Sequence, residues 1–289
     1  MVVRERNLSN ERRCGRHSKW YYAPPMHDVG RNRAPWGAAW AYRDLVRHLV
    51  GRDLRHKYKG STFGFAWSLA NPLLMAAIYT LAFEYIVRVP VPRFPLYLLS
   101  GLLPWTFFAG GLLAATSSIV DGAPLVRKVA FPRLVLPLSA VATQFVQFVL
   151  TFAVVVPLAA LWTGGISPTM LAVVPAMLLQ LAFTVGLGLL LGTAYVYARD
   201  TRHLAEVAVQ LWFWLTPIVY APAMIPERVA AVLTLNPMAH FVAIYHAACL
   251  EGTLGAPQHW LGAGLAAAIA LAVGSIVFAS RAPRFAEKL

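Results

Sequence analysis

The chain has 289 residues, of which 58% are hydrophobic and 13% charged, yet its formal net charge is +13. A soluble domain has about 25% charged residues, and a basic nucleic-acid-binding protein reaches such a charge by adding Lys and Arg. The composition therefore excludes a disordered chain and argues against a soluble enzyme or a nucleic-acid-binding protein. It predicts an all-α integral membrane protein with basic ends and loops.

Residues 1–35 are rich in Arg, contain three prolines and show no apolar periodicity. They lack the apolar core and the small-residue cleavage site of a signal peptide. We predict a flexible basic cytoplasmic tail that is held near anionic lipid.

Residues 36–59 have the pattern of a basic amphipathic helix. An apolar or aromatic side chain recurs every four residues, at Tyr42, Val46, Val50, Leu54 and Tyr58. Basic residues surround this stripe, and Asp53 precedes Lys57 at the spacing of a helical ion pair. Such a helix is expected to lie in the membrane interface rather than to cross it. The alternative is an ordinary surface helix packed on a soluble domain.

Six membrane-spanning helices are predicted next, because about 20 apolar residues cross roughly 30 Å of hydrocarbon. They lie near 66–87, 96–120, 134–161, 169–197, 204–221 and 257–280. Residues 229–250 form a further uncharged run, which Asn236 and Pro237 interrupt. A chain break within hydrocarbon leaves backbone groups unsatisfied. We therefore predict an outer re-entrant helical segment there instead of a seventh span.

The distribution of basic residues predicts the orientation. With both termini inside, the cytoplasmic segments contain 22 of the 25 Lys and Arg residues, and 14 of these precede residue 66. The outer loops contain three, which are Arg88, Arg93 and Arg228. Because basic residues concentrate on the cytoplasmic side, both the N-terminus and the tail at 281–289 are predicted to be cytoplasmic.

Charged groups within the spans are the first candidates for chemistry, because their burial in hydrocarbon is costly. Two acidic residues qualify, and each has a basic residue one helical turn away: Glu84 with Arg88, and Glu206 with Arg202. Both pairs are interpreted as interfacial ion pairs rather than as catalytic acids. No catalytic motif and no metal-ligand spacing is found.

The sequence contains no G-x-x-x-x-G-K-[ST] phosphate loop, so no ATP or other cofactor is predicted to bind this chain by that route. His240 and His246 are six residues apart, which places them on different faces of a helix. They are interpreted as structural histidines with satisfied hydrogen bonds. The scarcity of buried charge also argues against an ion-coupled transporter. The remaining class is a transport protein whose energy comes from a separate component.

Aromatic residues cluster in and around the spans. Flat rings that face a pore offer an apolar surface to sugar rings without adding charge, whereas the alternative is an aromatic belt at the two membrane interfaces. The candidate channel residues are Trp105, Phe107, Phe108, Trp212, Trp214 and Tyr220.

The loop between the second and third predicted spans is short, basic and cytoplasmic. A loop helix with an aromatic residue and a basic rim can dock in a groove on a partner, with Phe131 as the anchor. The alternative is a plain connecting loop. The candidate segment comprises Leu125, Val126, Arg127, Lys128, Val129, Phe131, Pro132 and Arg133.

Four blocks of sequence resemble the membrane subunit of the ABC-2 type polysaccharide exporters, a family that exports O-antigen, teichoic acid, galactan and related cell-envelope glycans. The resemblance covers about residues 40–281. It rests on the residues from Arg43 to Leu74, on 125–137, on Ala198-Arg-Asp200, and on 215–220 followed by 236–245. One position departs from the family pattern, because His246 stands where Arg is common.

The resemblance implies a homodimer with two separate ATP-binding subunits, which bind ATP and Mg. It implies that segment 122–133 transmits their motion. It also implies that the interface helix at 40–59 gates the passage of a polyprenyl-diphosphate-linked polysaccharide. The residues that would suit the diphosphate are Arg52, Arg55, Lys57, Tyr58 and Lys59. The 222–250 region matches a re-entrant helix pair of the family.

The sequence thus predicts a transport subunit of a bacterial inner membrane rather than an enzyme, with lipid-linked polysaccharide and membrane lipids as its ligands. Its parts are the tail at 1–35, the interface helix at 36–59, the ABC-2 transmembrane domain at 60–280 and the cytoplasmic tail at 281–289. Two alternatives stay open. One is an ABC-2 exporter of drugs or small lipids, and the other is an integral membrane glycan-modifying enzyme.

Overall fold

The computed structural model describes residues 37, 41–61, 64, 66–88, 91–128, 131–163, 165, 167–226, 228 and 233–289. These residues form helices and connecting turns, and none of them forms a strand, in agreement with the all-α prediction. The predicted tail at 1–35 lies outside the described residues.

Ten α-helices can be named within the described part of the chain. They are α1 (Arg43–Tyr58), α2 (Ala66–Thr80), α3 (Phe94–Asp121), α4 (Ala123–Lys128), α5 (Val135–Thr163), α6 (Val173–Tyr197), α7 (Thr201–Trp214), α8 (Pro237–His246), α9 (Pro257–Arg281) and α10 (Phe285–Lys288). A π-helical turn at Leu81–Ile86 extends α2, and a 3-10 turn at Pro168–Ala172 precedes α6.

Four of the described helices are long and apolar enough to cross a membrane. They comprise Phe94–Asp121, Val135–Pro157, Pro168–Tyr197 and Pro257–Lys288, and they coincide with the second, third, fourth and sixth predicted spans. The apolar helix Ala70–Ile86 is shorter. It lies within the first predicted span, which stays a prediction.

The prediction of a helix over 204–221 is wrong in its second half. Helix α7 ends at Trp214, and turns follow from Leu215 to Tyr220 around Pro217. Proline provides no amide hydrogen and disfavours helical backbone at the residue before it, so the helix ends there. At 1.5 Å per residue, α7 is about 21 Å long and shorter than the hydrocarbon.

Helix α3 forms the centre of the fold and packs against α5 and α6. Most of its length is buried, as expected for a helix that is apolar on every face. Helix α9 packs on the other side of α6. The contact is close because Gly186 of α6 lies directly against the backbone of α9 at Ala270.

The helical structure is interrupted after residue 235, at Asn236 and Pro237, as the sequence predicted. Asn236 caps α8, its side chain accepts a hydrogen bond from the Met238 amide, and Pro237 occupies the first helical position. The residues after α9 also fold: Phe285 is fully buried, with its ring centroid 5.5 Å from that of Phe278.

Candidate functional site

Helix α1 uses its apolar stripe to pack on the rest of the protein. Leu49 is buried in a small apolar cluster with Val126, Val135 and Leu136. Leu45 and Val46 of α1 also contact this cluster, as does Tyr42, the residue that precedes α1. The predicted amphipathic face is therefore the buried face in the first half of α1, and the basic residues Arg47, Arg52 and Arg55 are exposed.

The second half of α1 extends along α5. Near its end, the Lys57 ammonium donates a hydrogen bond to Gln147 Oε1, with an N···O distance of 2.6 Å. Gln147 is eleven residues beyond Leu136, which corresponds to about 16 Å along α5. The end of α1 thus reaches the middle of α5. The predicted Asp53–Lys57 pair is wrong, because Asp53 pairs with Arg52 at 2.9 Å.

Lys57 and Tyr58 line a cavity of about 390 Å³ between α1, α2, α3 and α5. Its polar side chains are Lys57, Ser61, Asn71, Thr106, Gln144, Gln147 and Thr151, and its aromatic ones are Tyr58, Trp67, Phe107 and Phe148. Burial lowers the pKa of the Lys57 ammonium from its ordinary value. An anion in the cavity would oppose this shift because it stabilises the charged form.

The five residues that were predicted to suit the diphosphate do not all line this cavity. Lys57 and Tyr58 line the cavity, whereas Arg52, Arg55 and Lys59 do not. Lys57 is nevertheless exposed, as these three residues are, and Tyr58 is half-buried. The polar residues of α5 that line the cavity were not among the predicted site residues. Gln144, Gln147 and Thr151 occur at helical spacing in a span without charges, and polar residues within spans are a known signal of a functional face.

Within the described residues, the predicted coupling segment includes the six-residue helix α4, and Phe131 and Pro132 have no regular secondary structure. Val126 is buried in the cluster with Leu49, and Leu125 and Phe131 pack against the same cluster. Pro132 and Arg133 are half-buried. The side chains of Arg127 and Lys128, and all of Val129, lie outside what the structure describes. The docking role of the segment stays a prediction.

The six candidate channel aromatics occupy different environments. Trp105, Phe107 and Phe108 are buried in the main core, and Phe108 has no exposed surface. Trp212 and Tyr220 are half-buried, whereas 51% of Trp214 is exposed. In this conformation Phe108 faces the core rather than a pore. Trp214 is the one of the six with an exposed ring.

Asn236 connects the turn after α7 to α8. Its Oδ1 accepts hydrogen bonds from Trp212 Nε1 at 2.7 Å and from the Met238 amide at 3.0 Å. Its Nδ2 donates to the Leu215 carbonyl at 2.9 Å and to Thr216 Oγ1 at 3.1 Å. The hydrogen-bonding capacity of this buried amide is fully used.

The two outer histidines have partners, as predicted. His246 is buried, with Nε2 3.0 Å from the Tyr97 carbonyl oxygen. His240 lies 3.0 Å from the Thr234 carbonyl oxygen through Nε2, and Nδ1 lies 3.1 Å from His259 Nδ1. Both histidines therefore link segments of the chain that are distant in sequence or lie in different helices.

Of the two predicted ion pairs, the one between Arg202 and Glu206 is confirmed as an ion pair, whereas its position at a membrane interface stays a prediction. Arg202 Nε lies 3.1 Å from Glu206 Oε1. The prediction for Glu84 and Arg88 is wrong, because no ion pair joins these two described residues. The π-helical turn ends at Ile86, and Arg88 has a φ of 60°, so it does not follow Glu84 on a continuous helix.

These features together describe an all-helical membrane protein with a basic helix packed beside its core. Residues 44–250 match the family described as ABC-2 type transporter. This match covers more than half of the sequence, so the chain belongs to that family.

Three relatives are similar over most of their length. The O-antigen export system permease protein RfbA of Klebsiella pneumoniae is 35% identical over 214 residues, which is 73% of this chain and 82% of that protein. The protein of the same name from Myxococcus xanthus is 34% identical over 252 residues, or 86% and 96% of the two chains. The polysialic acid transport protein KpsM of Escherichia coli is 21% identical over 220 residues, or 72% and 81%.

Proposed function

We propose that this chain is the transmembrane subunit of a bacterial inner-membrane exporter that moves a polysaccharide out of the cytoplasm. The observation that carries the proposal is the similarity of most of the chain to permeases named for O-antigen and polysialic acid export. These two names share a substrate class, a long surface polysaccharide. A separate ATPase subunit would supply the energy, because the sequence contains no phosphate loop of its own.

A homodimer with an ATPase on each half is part of the proposal. Helix α7 supports it, because one face of this helix is exposed and apolar. The exposed residues are Leu204, Val207, Leu211 and Trp214. A second copy that covers this face would bring two Trp214 rings toward one passage.

Six spans with both termini in the cytoplasm remain the proposed topology. The extended α2 at 66–86 would be the first span, α7 with its following turns would be the fifth, and 222–250 would form the outer re-entrant segment. The concentration of Lys and Arg before residue 66 supports this orientation.

A polyprenyl-diphosphate-linked glycan is the proposed form of the substrate. Arg52 and Arg55 of α1 and Lys59, which follows it, are exposed. Lys57 is exposed as well and lies at the cavity. Cations at this depth would bind the diphosphate of the lipid carrier. An exporter of drugs or small lipids is the competing function within the same family.

Removal of the chain from cells that produce it tests the proposal. We expect surface polysaccharide to disappear and lipid-linked polymer to accumulate in the cytoplasm, and we expect wild-type chain to restore export. The variant in which Arg52, Arg55, Lys57 and Lys59 are all changed to Gln is expected to reduce export at least about tenfold, because it removes four charge-assisted contacts. Immunoblots of surface and intracellular polymer measure both outcomes.

Arg47→Gln is the matched control, because Arg47 lies on the same helix, is exposed and pairs with Asp44. It is expected to export normally. Normal surface polysaccharide in cells without the chain would refute the proposed function. Normal export by the fourfold variant, with loss in the deletion, would refute the gate alone.

A separate prediction concerns the contact between α1 and α4. We expect Leu49→Ala to reduce export about tenfold while the complex continues to hydrolyse ATP. Leu49 and Val126 share one apolar cluster, so a cavity there would disconnect the gate helix from the segment that the ATPase is proposed to move. Phe131→Ala is also expected to reduce export while ATP hydrolysis continues.

Leu54→Ala is the control for this contact, since Leu54 lies on α1 but outside the cluster. Export and ATP hydrolysis are measured in the same proteoliposomes. A parallel fall of both activities in Leu49→Ala would contradict the coupling role and indicate a general loss of structure.

A further inference from the structure

The residues after α9 fold back onto the protein, although the membrane span does not need them. Helix α9 has 25 residues, which correspond to about 37 Å at 1.5 Å per residue. This length already exceeds the roughly 30 Å of hydrocarbon. A 3-10 turn at Ala282–Arg284 nevertheless continues the chain into α10, which contacts both α4 and α6. The packing of residues 285–289 therefore has a cause other than the crossing of the membrane.

Phe285 fixes α10 against two membrane-spanning helices. Its side chain is fully buried, and its ring centroid lies 5.5 Å from that of Phe278 in α9 and 6.4 Å from that of Tyr197 in α6. The Arg281 guanidinium lies over the Tyr197 ring, 5.8 Å from its centroid. The residues on both sides of the turn thus contact the last residue of α6. Helix α10 is therefore held to α6 and α9 together.

Leu289 connects this anchored turn to the apolar cluster beside the predicted coupling segment. Its amide donates a hydrogen bond to the Phe285 carbonyl at 3.0 Å, which places Leu289 one helical turn beyond the anchor. Leu289 packs against the cluster that contains Leu49 of α1 and Val126 of α4, and also against the main core. This cluster is therefore in contact with α1, with α4 and with the chain that follows α9.

The environment of residues 285–289 favours a connecting role over a purely stabilising one. Ala286, Glu287 and Lys288 are exposed, so Phe285 and Leu289 are the two residues of this stretch that pack inward. Leu289 is half-buried, and a half-buried side chain contributes less apolar burial than a core residue does. Its distinguishing property is that it joins the cluster at α4 to an anchored turn.

We propose that Phe285 and Leu289 are positioning residues that transmit movement of the coupling segment to α6 and α9. The proposal rests on the proposed function, because a separate ATPase would have to move α4. Since Phe285 holds α10 against both spans, displacement of the cluster at Val126 would displace them without a flexible linker. The contact through Leu49 would move α1 at the same time. One movement of α4 would thus reach the gate helix and the α6–α9 pair together.

Export and ATP hydrolysis by the complex of this chain with its ATPase, reconstituted in proteoliposomes, test the proposal. We expect Leu289→Ala to reduce export about fivefold, the lower end of typical coupling effects, while ATP hydrolysis stays within about twofold of the wild type. Leu289→Met is expected to restore export, because it returns an apolar side chain of similar size. The melting temperature of Leu289→Ala is expected to stay close to that of the wild type, since Leu289 is half-buried.

Lys288→Ala is the matched control, because Lys288 is the neighbouring residue, is exposed and belongs to neither apolar cluster. It is expected to export normally. The double variant of Leu49→Ala with Leu289→Ala tests whether both residues act through the same cluster. Its loss of export is expected to be smaller than the product of the two single losses, because both changes disrupt one set of contacts.

Four results would overturn the proposal. Normal export by Leu289→Ala would refute the connecting role while leaving the proposed function intact. A parallel fall of export, ATP hydrolysis and melting temperature would show that Leu289 only stabilises the fold. Single losses that multiply in the double variant would place the effect outside the cluster. An equal loss in Lys288→Ala would assign it to the exposed face of α10.

The wild-type complex separates these results from a failure of the proposed function. If it hydrolyses ATP without exporting polysaccharide, the proposed function is refuted, and the role of Phe285 and Leu289 in coupling falls with it. If it exports polysaccharide in proportion to ATP hydrolysis, the variants at residue 289 test the connecting role alone.

Discussion

Gly186→Ala is expected to remove most of the folded protein from the membrane. A Cβ at residue 186 would overlap the backbone of α9 at Ala270 and at Leu271. Backbone cannot rotate out of the way as a side chain does, so the two helices would have to separate. Small residues allow such close contact between helices in membranes, where packing rather than hydrophobic burial drives association.

We expect a net destabilisation of about 3 kcal/mol for this single methyl group, because overpacking against backbone outweighs the gain of about 1 kcal/mol in helix propensity. The same contact is seen from the other helix, since a Cβ at Gly274 would overlap the backbone of Gly186. Gly274→Ala should therefore have a similar effect. The measurement is the yield and melting temperature of detergent-solubilised protein by size-exclusion chromatography.

Gly264→Ala is the matched control on α9, because nothing lies within 4 Å of the added Cβ. It carries the same gain in helix propensity without the overlap, so its stability should be unchanged or higher. Similar behaviour of Gly186→Ala and Gly264→Ala would show that the α6–α9 contact is not the close one described.

The sequence predicted those helices whose evidence is local. The long uncharged runs at 96–120, 134–161, 169–197 and 257–280 are helical because a membrane-spanning chain must satisfy its own backbone hydrogen bonds. The stripe from Tyr42 to Tyr58 also predicted α1, since its period is a property of the helix itself.

The prediction of the partner of Lys57 was wrong because residues distant in the sequence determine that partner. The expected partner of Lys57 was Asp53, one turn away, but the observed partner is Gln147, 90 residues along the chain. Local spacing contains no information on which helix will lie beside α1. The end of α7 at Trp214 is a different case, because its signal is local. Pro217 stands within a continuous apolar run, and the apolar run alone would predict a longer helix.

The environments of the candidate channel aromatics could not be predicted from the sequence either. Phe108 and Trp214 have similar chemical character in the sequence, but the first is fully buried and the second is half exposed. Hydrophobicity predicts that both leave water, and it does not distinguish a core from a pore or a subunit contact.

Asn236→Leu is expected to have the second large effect, with a loss of about 3–4 kcal/mol of stability. Leucine has the same branched arrangement of heavy atoms, although it is larger, and it cannot replace the four hydrogen bonds of the Asn236 side chain. It would leave the Trp212 indole and the Leu215 carbonyl without this partner in a part-buried site. Unpaired buried groups of this kind cost about 1–3 kcal/mol each, and the lost helix cap adds about 1 kcal/mol.

Two comparisons test what causes most of the stability loss in Asn236→Leu. The cause is either the loss of the hydrogen bonds to distant residues or the loss of the helix cap. Ser167→Ala removes another helix cap, in which the Ser167 side chain accepts from the Thr169 amide, and it should lower stability by at most about 1 kcal/mol. Trp212→Phe removes the indole donor together with one ring of a side chain that packs against Phe108 and Phe183. Combined with Asn236→Leu, it should cause less loss than the sum of the two single variants, since both disrupt the same bond.

Strict additivity of these two variants in thermal unfolding would show that Trp212 and Asn236 act independently. Coupling between them would instead identify the Asn236 amide as the link that holds the turn after α7 against α8. That link joins the two blocks at 215–220 and 236–245, which are separated in the sequence. A change that frees the turn should therefore also reduce polysaccharide export at temperatures where the chain remains folded.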